Sequence, residues 1–177
     1  MHDIVGFRSN VDPDKLLKKF IELNNSTNTE KDGDKYCISK QQFETLEDIL
    51  KFPEKIEENS KIFEDIWENC FKPVLLTWPK DVIFPALDIM RWYLGRKDTS
   101  KVNEKIAIDI LNVILSTSNG LLSNTPETAS RLSLRILSNC FFHSCLHKVL
   151  LEQRENIIGI ITNIVETSKS ISEGKFI

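Results

Sequence analysis

Apolar residues along this chain recur at intervals of three and four, whereas strand-like alternation does not recur, so the pattern predicts helices throughout. Asp12 followed by Pro13 reads as an N-cap with proline at the first helical position, and Leu16, Leu17, Phe20, Ile21 and Leu23 give that helix an apolar face. A polar segment from Asn24 to Lys35 breaks the pattern and has the composition of a flexible loop. Ser39 with Gln42 forms a capping-box signature ahead of Phe43, Leu46, Ile49 and Leu50, and Pro53 ends that helix. Ile62, Phe63, Ile66, Trp67 and Phe71 then mark an amphipathic helix over 60–72 that should stop near Pro73.

Trp78-Pro79 leads into a short turn, and Pro85 sits in the first turn of a helix ending near Gly95. Ser100 is expected to cap the next helix, which carries Ile106, Ile110, Val113 and Ile114 and runs to about Ser118 before the Asn119-Gly120 stop. Thr125-Pro126 opens another that reaches about Phe142. A break near Ser144 separates it from a helix over about 151–168 with Ile157, Ile158, Ile160, Ile161, Ile164 and Val165. About seven or eight helices result.

Some of these segments echo one another. Phe84-Pro85-Ala86-Leu87-Asp88-Ile89-Met90-Arg91 returns as Leu132-Ser133-Leu134-Arg135-Ile136-Leu137-Ser138-Asn139, with the arginine 44 positions on. The partner helices match at an offset of 50, Ile108 to Leu115 against Ile158 to Val165. Such periods belong to armadillo and HEAT stacks, so the expected fold is an all-α helical-repeat solenoid of about three repeats.

Composition agrees with one helical domain. At 177 residues the chain can bury roughly 70% of its unfolded surface, and 41% hydrophobic with 28% charged residues is ordinary for a globular protein. No apolar run reaches membrane-spanning length, and the first residues lack the basic flank and apolar core of a signal peptide, so no membrane partner is expected. A net charge of -3, without clusters of cations and aromatics, gives no field for nucleic acid. Cys37, Cys70, Cys140 and Cys145 lack CxxC spacing and read as reduced thiols of a cytosolic or nuclear protein, which also leaves the sequons at Asn24 and Asn25 without consequence.

The candidate chemistry is cationic. On a helical wheel Leu132, Leu134, Ile136, Leu137, Cys140 and Phe141 fill a broad arc of the 126–142 helix. Thr128, Arg131, Arg135, Ser138, Asn139 and Phe142 share the narrow stripe that remains. Two readings of these arginines stand. Acids such as Asp88 or Asp109 neutralise them as struts between repeats, or Arg91 and Arg135 line one side of the stack and accept an acidic ligand, with Asp88 holding Arg91 in place. Trp92 falls away from Leu87, Met90 and Leu94, where it either packs between helices or meets an aromatic peptide side chain.

Other constellations fall short. Cys140, His143, Cys145 and His147 do not converge as four tetrahedral ligands, and no orienting residue or oxyanion motif accompanies them, so neither metal nor thiol catalysis is expected. Asn28, Glu30, Asp32 and Gly33 imitate an EF-hand start, but Ser39 stands where the bidentate glutamate belongs. No enzymatic motif and no cofactor site is identified.

The strings Phe84-Pro85-Ala86-Leu87-Asp88-Ile89-Met90-Arg91, Leu134-Arg135-Ile136-Leu137-Ser138-Asn139-Cys140-Phe141 and Gln153-Arg154-Glu155, in that order, resemble the PUL domain. That domain closes the phospholipase A2-activating protein family, which serves ubiquitin homeostasis. The resemblance covers about residues 10–170. It implies an armadillo-like stack whose basic groove binds the acidic, aromatic-containing C-terminal tail of the valosin-containing AAA ATPase, as a non-enzymatic adaptor in ubiquitin-dependent protein degradation. It carries over Arg91 and Arg135 as groove arginines, Asn139 and Trp92 as secondary contacts, and Arg131 beside them. The family has about six repeats, so the expected organisation is a tail over 1–11, a partial domain, its N-terminal half, over 12–172, and a tail over 173–177. An uncapped terminal repeat around Ile157, Ile160, Ile161 and Ile164 would then favour a homodimer. A generic armadillo-like scaffold with a different partner is the alternative.

Overall fold

A computed structural model describes residues 12–27, 37–52, 60–95, 103–116, 121–122 and 126–172, and among these every regular element is helical. Helix α1 spans Pro13–Thr27 and opens as its sequence requires: Asp12 Oδ1 accepts the Lys15 N–H at 3.2 Å, and the Asp12 carbonyl accepts from Leu16. It also runs past the expected break at Asn24. That residue is buried, because its amide both donates to the Ile38 carbonyl (3.1 Å) and accepts the Ile38 N–H (2.8 Å), matching both backbone polar groups of Ile38. A polar side chain that is fully satisfied can lie inside.

Helix α2 (Lys40–Lys51) starts at the predicted capping box, with both reciprocal bonds between Ser39 and Gln42 formed. Pro53 lies outside the described residues. Helix α3 (Ser60–Ile66) does not end at Pro73. It widens into a π turn over Trp67–Phe71 and continues as α4 (Lys72–Thr77), with the proline in the first turn of the new segment. Proline has no N–H to offer the Asn69 carbonyl four residues back, and Gln42 Nε2 donates to that carbonyl at 2.7 Å. One glutamine thus caps α2 and supports the π turn.

Trp78 is buried with its ring edge-on to Phe20, which also meets Phe43, both at 5.5 Å. The turn after Pro79 closes by Val82 N–H to the Pro79 carbonyl. Helix α5 (Phe84–Leu94) is buried almost all round and ends at Gly95 as expected. Helix α6 (Glu104–Leu115) begins three residues later than expected from a Ser100 cap. Asn103 is its N-cap, accepting the Ile106 N–H at 3.0 Å while donating to Glu64 of α3 at 2.6 Å. Ser100 lies outside the described residues.

Helix α7 (Glu127–Cys140) is followed by a further helix that the periodicity did not separate, α8 (Ser144–Glu152), and then by α9 (Arg154–Ser172). The helices form two layers. One contains α1, α5 and α7, each packed along the next, and the other contains α4, α6 and α8, with α9 laid on α6 and α8. This is the expected α-solenoid. Within the second layer α6 is tied to the π turn and α4 by Asp109, which accepts from Trp67 Nε1 at 2.8 Å and pairs with Lys72 at 2.7 Å.

Candidate peptide-binding surface

The surface is set by how α5 and α7 lie together. Asn139 Nδ2 donates to the Arg91 carbonyl at 2.8 Å, and His143 Nε2 lies 2.8 Å from the Leu94 carbonyl. Both carbonyls belong to the last turn of α5, where the Arg91 carbonyl also accepts the Gly95 N–H at 3.0 Å. The two C-terminal ends are therefore adjacent, and the two helices of the 44-residue echo run side by side in the same direction. Gly95 makes this approach possible: a Cβ there would stand 3.0 Å from Asn139 Nδ2 and 3.1 Å from the Arg91 carbonyl.

The arginines that match in the echo differ in surroundings. The Arg91 side chain is only 3% exposed, with Nε and Nη2 each 2.7 Å from Asp88 Oδ1, the holding role expected of that aspartate. Asp109, the other acid considered for the arginines, is engaged by Trp67 and Lys72 instead. Arg135 lies on the exposed face of α7. Arg131, one turn earlier on the same face, is 62% exposed and 3.7 Å from Glu127, itself largely exposed. Asn139 is fully buried. Trp92 is half-buried against the core and lines one small cavity with Leu46, Leu50, Phe63 and Tyr93, where Phe63 and Tyr93 stack at 4.2 Å. The contrast between Arg91 and Arg135 has a simple cause. Helix α5 has neighbours on both sides in its layer, and α7 has α5 on one side only among the described helices.

Beyond Cys140 the helical wheel of α7 no longer applies, because the chain turns at residues 141–143 before α8. Phe141, placed by the wheel in the buried arc, is about half exposed, with its ring 5.4 Å from that of the exposed His147, and Phe142 is half-buried. The exposed face thus runs from Arg131 through Arg135 and Ser138 toward an aromatic pair. The sequence carried one signal of this, the break near Ser144.

The remaining candidates lie apart. Cys140 is buried at the end of α7 and burial pushes its thiol up to about 12, while His143 is engaged with the Leu94 carbonyl. Cys145 is half-buried and His147 exposed on α8. Among the described residues no group of three or more histidine, cysteine or acidic side chains is placed to hold a metal ion. No described helix is long and apolar enough to cross a membrane. Asn28, Glu30, Asp32 and Gly33 lie outside the described residues.

Residues 2–175 match the family model described as PUL domain. The chain is similar to the phospholipase A-2-activating protein of Xenopus laevis, with 26% identity over 158 residues, covering 86% of this chain and 18% of that protein. It therefore spans less than a fifth of that relative's length. No solved structure matches.

Proposed function

The chain belongs to the PUL domain family, and on that premise we propose that its α7 face binds the acidic, aromatic-containing C-terminal tail of the valosin-containing AAA ATPase. In this role it is a non-enzymatic adaptor for ubiquitin-dependent protein degradation in the cytosol and nucleus. One observation carries the reading: Arg131 and Arg135 share an exposed helix face that leads to the ring of Phe141. Guanidinium groups suit carboxylates because their forked donors match two oxygens, and an exposed ring beside them suits an aromatic side chain.

The other site residues take different parts in this reading. Arg91 and Asn139 have their polar atoms turned inward, so they position α5 against α7 and keep the arginine face straight. Trp92 fixes the opposite side of α5 against α2 and α3.

Titration of a synthetic tail peptide against the chain and against Arg135→Glu tests the proposal. Losing a charge-assisted contact removes roughly 1.5–3 kcal/mol, so affinity should fall about tenfold or more. Equal affinity for both proteins would overturn the site and leave a helical scaffold with another partner.

A further inference from the structure

Helix α9 is apolar on two faces. Ile160 is buried, and Ile157 and Ile164 pack against the core, so one face is occupied. On the adjoining face Ile158, Ile161 and Val165 are exposed, Ile158 to 58%. With Arg154 at its start, this stripe follows spacings of four, three and four, the seam by which one helix packs along another. It is about 16 Å long at 1.5 Å per residue, or roughly three turns. A seam of this spacing and narrowness selects a helix as its occupant, because a strand or loop would not meet every third and fourth residue.

The rim of the seam indicates which helix. Along the edge away from the core stand Glu155 and Glu166, both exposed, separated by Gly159 and Thr162. Glu155 engages Arg154 at 3.3 Å, and Glu166 leaves the edge between residues 155 and 166 net acidic. A Cβ built at Gly159 meets nothing within 4 Å, so the backbone there is open to close approach. A second copy is a poor match. Laid antiparallel with Ile158 over Ile161, it brings Glu155 of each copy within about a turn of Glu166 of the other, two like-charge encounters. We infer that the α9 seam is a docking site for an amphipathic helix of a partner protein, with an apolar stripe at the same spacing and lysine or arginine along the edge that meets Glu155 and Glu166. This site is separate from the arginine face of α7.

The probe is a designed helical peptide with leucines at three-four spacing and lysines along one edge, compared with a version in which those lysines are glutamates. The lysine-edged peptide should bind at least tenfold more tightly, and Glu155→Lys with Glu166→Lys should invert that preference. Ile158→Glu and Gly159→Leu should each abolish binding with helical circular dichroism and melting retained. Both positions are exposed, so one variant remains informative if the other destabilises the fold. Neither variant should alter titration of the acidic tail peptide, which separates failure here from failure of the α7 reading. Equal binding of the two peptides would overturn the inference, as would indifference to both variants. A dimer in sedimentation that disappears with Ile158→Glu would overturn it in favour of a second copy.

Discussion

Arg91 shows how one residue type takes its role from its surroundings. Its charge lies inside the body and is engaged by Asp88, so Asp88→Asn should remove that carboxylate and cost about 2 kcal/mol in chemical denaturation. A loss below about 1 kcal/mol would mean that other groups neutralise the guanidinium. Asn139→Ala should cost roughly 1–2 kcal/mol by removing a donor from the end of α5, and Gly95→Ala should couple to it, since the new methyl meets the same amide. Asp109 supplies a pH dependence. Burial raises its carboxyl, but the stronger combined effect of the Lys72 and Trp67 bonds lowers it below the usual carboxylate value. Its stabilisation is therefore complete above the unfolded value near 4 and is lost as pH falls through the lower folded value. Denaturation midpoints followed downward from pH 5 should fall more steeply for the wild type than for Asp109→Asn. Parallel curves would show that the ion pair is not linked to folding.

At the scale of elements, capping was the part most legible in the sequence. The Asp12-Pro13 start, the Ser39–Gln42 box and the Gly95 stop all formed where the side-chain chemistry placed them, because each depends on residues within one turn. Pro73 and Asn24 misled for the opposite reason. The carbonyl that the proline leaves open is met by Gln42, and the polar atoms of Asn24 are met by Ile38, both distant in sequence. Gln42→Ala should accordingly cost more than an ordinary cap, about 2 kcal/mol, since it removes the α2 box and the support of the π turn together. In α9, Gly159 stands exposed inside a helix with open space beside it, so Gly159→Ala should stabilise the chain by about 0.5–1 kcal/mol in thermal melts.

For the whole molecule, the two-layer stack decides which groups solvent can reach. Cys70 and Cys140 are buried, with thiols pushed up to about 12, whereas Cys37 and Cys145 are half-buried. Native-state alkylation followed by mass spectrometry should label Cys37 and Cys145 first and reach Cys70 and Cys140 only on unfolding. Rapid labelling of Cys140 would show that α7 opens from α5 more readily than their packing indicates. The same stack gives α5 neighbours on both sides and leaves one face of α7 and one face of α9 open, which is where the two proposed binding surfaces lie.

The sequence by itself determined most of the helices, the caps at Asp12, Ser39 and Gly95, the repeat that pairs α5 with α7 and the resemblance to the PUL domain. These depend on spacing and on chemistry within a few residues, which a linear chain records directly. Tertiary structure alone decided that Arg91 is buried beside Asp88 while Arg135, its match in the repeat, is exposed, and that Phe141 turns outward beyond the wheel that had placed it inside. A repeat repeats its local pattern but not its neighbours, and burial is set by the number of neighbours around each helix.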